Sequence, residues 1–218
     1  MTGPLTGARR ILPLGLENLN DVAEPCRRCV CWQNDDSSLP VPPPVLGPDQ
    51  LPQCSDALEL ESWVSAALLM RPTVGRVAYL GSSPVGHAVY APGHVLPGAD
   101  RFVSGRANTD AMLLAAFRVD PAARDTGVAR IMLEAVARDA LEQGMRALEA
   151  YGSRATGRHH GCLLPADFLV HCGFSEVAPH PMTPRLRLDI KAVTTWRAEV
   201  EAAIERLMTR AGSAVPAY

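Results

Sequence analysis

Arg118-Val119-Asp120-Pro121-Ala122-Ala123-Arg124-Asp125-Thr126-Gly127-Val128-Ala129-Arg130 is the stretch that decides the fold. An apolar run, Ala111 to Phe117, leads into it, and a pattern at helical spacing, Val128 to Ala137, leads out. Strand, turn and helix therefore follow one another. Pro121 ends the strand because its ring fixes φ and removes a donor, and Thr126-Gly127 opens the helix. A helix start carries backbone N–H groups without intrahelical partners and the positive end of the macrodipole, so it favours an anion. Gly127 and Ala129 keep bulk away from that backbone, and Arg124 adds a fixed positive charge. Pyrophosphate suits such a cradle. Spacing alone leaves a second role open, with Gly127 a plain helix cap and Arg124 a solvated surface charge.

Outward from this stretch, composition sets the limits. At 218 residues the chain suits one domain with a substantial core, and 47% hydrophobic with 20% charged residues is ordinary for a globular protein. A net charge of −2 gives no electrostatic case for a nucleic-acid binder or a polybasic membrane anchor. No apolar run is long enough to cross a bilayer, and Met1-Thr2-Gly3-Pro4 lacks a charged-then-apolar signal pattern. A cytoplasmic protein is expected.

Before the deciding stretch, Ala8 to Leu14 reads as a first strand, placed at an edge by Pro13. Cys26-x-x-Cys29-x-Cys31 fits three roles: buried thiols, half of a zinc site, or a redox pair. A zinc site would need distant ligands among Cys54, Cys162, Cys172, His94, His159, His160 and His180, and we assign no metal. The proline density between Asp35 and Gln53 excludes regular hydrogen-bonded structure and reads as a surface connector. Residues of about 20–54 thus form a Cys- and Pro-rich region. Ser55 caps a helix to Met70 that has Leu58, Trp63, Leu68 and Leu69 among its apolar positions. A hairpin follows, Val74 to Leu80 and Val85 to Tyr90, turning at Gly81 to Pro84. Ala91 to Thr109 reads as irregular and is expected to wall an acceptor site.

After it, Gly144 closes the helix and Arg146 to Tyr151 reads as the fifth strand. Gly152 to Gly161 is polar and loop-like, and Pro165 starts a short helix ending in His171-Cys172-Gly173-Phe174. Glu176-Val177 and Arg185 to Ile190 are the last strands, the latter alternating Leu186, Leu188 and Ile190 against Arg185, Arg187 and Asp189. A final helix over about 195–210 carries Trp196, Val200, Ile204 and Leu207 on one stripe. The 1–218 chain reads as a single α/β domain.

Arg124-x-x-Gly127-x-Ala129, preceded by Phe117-Arg118-Val119 and followed by Gly173-Phe174, resembles the acyl-CoA signature of the GNAT superfamily of N-acyltransferases over about residues 73–190. The resemblance implies a GNAT fold: a mixed, mostly antiparallel central sheet, splayed between its fourth and fifth strands and flanked by helices. It implies acetyl-CoA as co-substrate, entering the splay. Phe117 and Val119 match the strand positions along the pantetheine arm, with Arg118 between them; Arg124, Asp125, Thr126, Gly127, Val128 and Ala129 match the pyrophosphate loop, and Arg130 follows. The family's tyrosine and glutamate positions hold Leu169 and Leu113 here. Asp110 is the nearest acid on the strand and a candidate base, although alternation places it on the face opposite Leu113 unless a β-bulge resets the phase. His171 is a candidate proton donor to the leaving thiolate. Two classes of function follow: an N-acetyltransferase acting on a small-molecule or peptide amine, as monomer or homodimer, or a lapsed acyl-CoA-binding or partner-recognition protein on the same fold.

Overall fold

Consecutive antiparallel strands build the first half of the sheet: β1 (Arg9–Pro13), β2 (Gly75–Leu80), β3 (Ser83–Pro92) and β4 (Ala111–Val119). The computed structural model describes residues 7–24, 26–34, 57–124, 126–155 and 163–191. The proline-rich connector, the capping Ser55, most of the loop after the fifth strand and the C-terminal helix expected over about 195–210 lie outside the described residues. β5 (Ala147–Ser153) joins β4 in parallel, and β7 (Ser175–Ala178) and β8 (Arg185–Asp189) complete the order β1-β2-β3-β4-β5-β8-β7. A two-residue strand, β6 (Leu164–Pro165), lies beside the end of β5. The expected mixed, mostly antiparallel sheet is present.

The splay has a local cause. β4 and β5 pair only at Ala111↔Ala147, Met112↔Leu148 and Leu113↔Glu149, after which they part. On its other side β4 steps from Leu114↔Tyr90 to Ala116↔Val89, so the ladder passes over Ala115. An extra residue of this kind bends the bulged strand and increases its twist. β5 stays with β8 as far as Tyr151↔Arg185. The sheet opens between its fourth and fifth strands at the height of the bulge.

Helix α2 (Val128–Glu142) and α3 (Ala166–His171) cover one face, where Val128, Met132, Val136 and Ala140 meet Leu114, Phe117, Leu148 and Leu186. On the opposite face α1 (Ala57–Met70) buries Leu60, Val64 and Ala67, against Leu14, Val77 and Val89. Leu58 and Leu69, two of the apolar positions expected in this helix, are exposed, because spacing alone does not say which stripe meets the sheet. Pro165 serves as the N-cap of α3, one position before the first-turn place expected for it. Residues 91–109 are more ordered than expected: they form short 3-10 turns at Gly93–Val95 and Pro97–Arg101, packed against Cys31-Trp32. Gly98 permits that approach, since a Cβ there would meet the Cys31 carbonyl oxygen at 1.9 Å.

One buried acid ties α2 to the sheet. Asp139 accepts from Arg76 Nε at 2.7 Å and from Arg76 Nη2, and Tyr90 Oη donates to the same carboxylate. Burial, then the Asp139 carboxylate, pushes the Tyr90 phenol far up, so it stays a donor. Asp139→Ala leaves a guanidinium and a phenol without their acceptor. We expect it to cost about 3–5 kcal/mol in denaturant melts, as for other buried pairs broken from one side. A loss below about 1 kcal/mol, the surface range, would show that the clamp is not structural.

Candidate functional site

Gly127 is the N-cap of α2 at φ +77°, and no side chain caps the helix there. A Cβ on Gly127 would meet only Arg9 Nη1, at 3.0 Å, so the space before the helix is otherwise open. The first i→i−4 bond runs from Ile131 N–H to the Gly127 carbonyl at 3.2 Å, and the earlier N–H groups have no acceptor within the helix. Asp120 shapes the approach by accepting from Ala122 N–H at 2.7 Å, and the Thr126 hydroxyl donates to Ala123 O at 2.6 Å.

Of the residues expected to hold a cofactor, Arg124, Thr126, Gly127, Val128 and Ala129 meet at this turn, while Asp125 lies outside the described residues. Arg130 turns along the helix to Glu134 at 3.0 Å. Arg118 reaches the opposite face, where Nη1 donates to the Glu24 carbonyl at 3.1 Å. A charge missing from the expected set is present instead: Arg9 Nη1 donates to Thr126 O at 2.9 Å. Only the pairing of β1 at the sheet edge brings Arg9 to the turn, and no spacing in the sequence signals it.

On the α2 face, Leu114, Phe117, Leu133, Phe168, Leu169, Cys172 and Phe174 close around a narrow crevice too tight for a water molecule. Val119 packs against the same core, and the Phe117 and Phe168 rings lie 6.0 Å apart. Leu169 is fully buried in this wall. His171 is exposed at the end of α3, and burial raises the neighbouring Cys172 thiol, which stays protonated.

A second hollow, of about 20 Å³, lies on the other face, partly open and lined by Cys26, Cys29, Trp32, Gln33, Leu60, Val89, Ala115 and Ala116. Both hollows reach β4 between Leu114 and Phe117, at the bulge where β4 has parted from β5. Trp32, Phe102 and Tyr151 stack beside the second one, with centroids 5.3 and 4.2 Å apart along the stack, and Leu113 is buried among them. The Tyr151 hydroxyl donates to Gly105 O at 2.7 Å, binding the 91–109 segment over this face. Burial, then Cys29, pushes the Cys26 thiol up to about 11. Among the described residues no group of three His, Cys, Asp or Glu side chains is placed to hold a metal. Cys54, Cys162, His159 and His160 lie outside them.

Beneath the stack is a polar floor that reasoning from sequence missed. The buried Glu149 accepts from Asn108 N–H at 3.1 Å, Asn108 Nδ2 at 2.6 Å, Arg185 Nη1 at 2.5 Å and Arg187 Nη1 at 3.2 Å. These contacts occupy all four lone-pair directions, so the carboxylate has none left for a substrate proton. Arg187 also forks onto Asp110 with two bonds of 2.9 Å, and that bonding holds the Asp110 carboxyl below its usual range. Asp110 lies in the turn before β4, outside the strand's alternation, and Arg187 draws its carboxylate to the face of Glu149 and Leu113. The bulge at Ala115 comes later in the strand and does not set this phase. Asp110 and His171 are not brought together. The signal for Glu149 was present: one acid within the apolar strand Ala147 to Tyr151.

The profile described as the acetyltransferase (GNAT) family matches residues 43–159. PaiA N-acetyltransferase from Thermoplasma acidophilum, in complex with coenzyme A, is similar at a TM-score of 0.55 and 10% identity, over 84% of this chain and 99% of its own. YncA from Salmonella typhimurium, with its cofactor acetyl-CoA, gives 0.52 and 14% over 84% and 95%. An N-acetyltransferase from Staphylococcus aureus Mu50 gives 0.51 and 15% over 84% and 99%. At these identities the likeness concerns the fold. No curated protein matches the chain in sequence. No helix among the described residues is long and apolar enough to cross a membrane.

On the face of the second hollow, His87 is fully buried, and Nδ1 accepts from Ala23 N–H at 3.4 Å. Burial, with the charge of Arg118, lowers it to about 4 from an ordinary 6.5. Its folded value lies below its unfolded one, so the unfolded chain binds the extra proton between them. Stability should therefore fall as pH drops from about 6.5 to about 4, by roughly 3 kcal/mol, and level off on either side. Denaturant melts across this range should show the slope in the native protein and its loss in His87→Leu. An unchanged slope in the variant would assign the acid sensitivity to other groups.

Proposed function

The chain belongs to the acetyltransferase (GNAT) family, and from that premise we propose that it transfers an acetyl group directly from acetyl-CoA to an amine. The observation that carries this reading is the split beside β4: the strand loses its β5 neighbour before the bulge, and a narrow crevice lined by its side chains lies on each face there. On the α2 face, an open, uncapped helix start with arginines beside it suits a pyrophosphate. On the α1 face the hollow reaches β4 at Ala115 and Ala116, and we read that side as the acceptor's.

The open space before Gly127 supports the fit of a coenzyme A. In this reading the N–H groups at Gly127, Val128 and Ala129 hold the pyrophosphate with Arg124 and Arg9, while Phe117, Leu133 and Phe168 flank the pantetheine arm. When bound, acetyl-CoA supplies the activated thioester. The chain supplies positioning: β4 presents its bulged backbone at Ala115, and the ring stack with the 91–109 segment keeps water from one side. Orientation of this kind accounts for up to about 7–11 kcal/mol of a barrier. The fork from Arg187 makes Asp110 a weak base and a brace between β8 and the start of β4, so we give it no proton-transfer role. A second reading, acyl-CoA binding without transfer, draws on Leu113 and Leu169, the side chains at the family's glutamate and tyrosine positions.

Thermal melts with acetyl-CoA, coenzyme A and ATP test the cofactor. A ligand at about 100 times its Kd adds roughly 2.7 kcal/mol, which for this size raises the midpoint by about 5–10 °C. We expect that rise with acetyl-CoA and coenzyme A, little with ATP, and none in Gly127→Trp, whose indole fills the open space. Arg124→Glu should weaken the binding about tenfold or more, equivalent to about 1.4 kcal/mol, with the unliganded midpoint unchanged. Full affinity in Gly127→Trp would show that the phosphates bind elsewhere. Thiol release from acetyl-CoA in the presence of amines then separates transfer from binding alone.

A further inference from the structure

The face of β4 that is read as the acceptor's is shut in this structure. Ala115, at the bulge, is 3% exposed and packed among Trp32, Phe102 and Tyr151. The hollow beside it, of about 20 Å³, has room for about one water and not for an amine on a carbon chain. An acceptor that reaches β4 from this face must therefore displace part of the wall. The wall is a cover made of residues 31–34 and 97–105, which form turns where the sheet beneath them is laddered. Its two halves are bonded to each other: Gly98 N–H donates to Trp32 O at 3.0 Å, and Arg101 donates to the Cys31 carbonyl. The sheet holds it through Tyr151 Oη, which donates to Gly105 O at 2.7 Å, through Arg185 Nε, which donates to Ser104 O at 3.4 Å, and through the stacking of Trp32 and Phe102 on the Tyr151 ring.

That hold is weakened from within. Among the described residues four buried polar side-chain atoms have no hydrogen-bond partner, and three of them belong to the cover: Trp32 Nε1, Gln33 Oε1 and Ser104 Oγ. All three are sealed from solvent, so water in the hollow does not satisfy them. A bare buried atom offsets about what the burial of one large apolar side chain gains. Opening returns all three to water, which lowers the cost of lifting the rings.

We propose that residues 31–34 and 97–105 form a lid over the acceptor side of β4, closed in this structure, which swings Trp32 and Phe102 off the Tyr151 ring to admit the amine. Gly105 is the pivot: it stands at φ +80° with open space around it and is pinned by the Tyr151 hydroxyl. Beyond it the chain is fixed, because Asn108 donates to Glu149 from both its backbone N–H and its side chain. Closed, the lid keeps water from the thioester; open, it uncovers Ala115 beside the Tyr151 ring. This rests on the reading of the α1 face as the acceptor's.

The test is hydrogen exchange read by mass spectrometry on the full chain, beside a variant that should hold the lid shut. Trp32→Phe, Gln33→Met and Ser104→Ala together keep the ring stack and remove the three bare atoms. In the native protein the amides of 31–34 and 97–105, Gly98 among them, should exchange together and about 100-fold or more faster than those of β3 and β4. In the triple variant they should slow about tenfold or more, with no fall in melting midpoint. The midpoint rise with acetyl-CoA should be equal in both, since the cofactor is read on the α2 face. Transfer is followed as thiol release with alanine amide, lysine amide and spermidine as probe amines, and kcat/KM for each one used should fall about tenfold in the variant. Exchange of 97–105 in step with the sheet, or unslowed in the variant, overturns the lid. Slowed exchange with unaltered kcat/KM shows that the amine enters elsewhere and overturns the lid's role. A midpoint rise with acetyl-CoA but no turnover of any probe overturns that role and leaves the cofactor reading intact. No rise and no turnover removes the acetyltransferase reading, while the exchange rates still decide whether the cover opens.

Discussion

Three residue pairs between β4 and β5 set the geometry on which the rest of the structure depends. Parallel pairing holds the two strands together at Ala111, Met112 and Leu113, and the bulge at Ala115 then turns β4 aside. A longer ladder would close the sheet, leaving no hollow on either face and no strand edge at which a donor and an acceptor could meet. A shorter one would let the two halves of the sheet come apart. The split is therefore bounded on one side by hydrogen bonding and on the other by a single surplus residue.

A buried ionic cluster holds the closed end of that split. Glu149 sits at the last paired position, and its four contacts draw together β5, β8 and the turn before β4 through Arg185, Arg187 and Asn108. Burying a carboxylate is costly unless every lone pair is matched, and here each one is. Asp139 does the corresponding work on the other face, anchoring α2 to β2 and β3 through Arg76 and Tyr90. The helix whose first turn is read as a phosphate cradle is thus fixed by its last turns, about two helical turns away. Satisfied polar clusters rigidify what they join.

Such an arrangement assigns the chain's part in catalysis to placement more than to proton transfer. The carboxylates near the split are engaged by arginines, and Leu113 and Leu169 occupy the walls where the family resemblance implies a glutamate and a tyrosine.

How much of this was legible in the sequence follows from the range of each interaction. The strand-turn-helix at Arg118 to Arg130, the hairpin at Gly81, the alternation of Leu186 and Leu188, and the stop at Gly144 depend on neighbours within a few residues, so spacing displayed them. The family signature likewise lies within one turn and its flanks. Which stripe of α1 faces the sheet, how Asp110 is turned by Arg187, and why Arg9 stands at Thr126 depend on partners far along the chain. Trp32 and Gln33, beside a run of cysteines that invited a metal or redox interpretation, come to line a hollow at Ala115 only because the N-terminal segment packs on the face opposite α2. The sequence by itself determined the main elements, their order and the turn that opens α2, because these are set by local dihedral preference and periodicity. Only the tertiary structure decided which distant side chains share a wall, because that is settled by which buried surfaces and charges find each other once the sheet has formed.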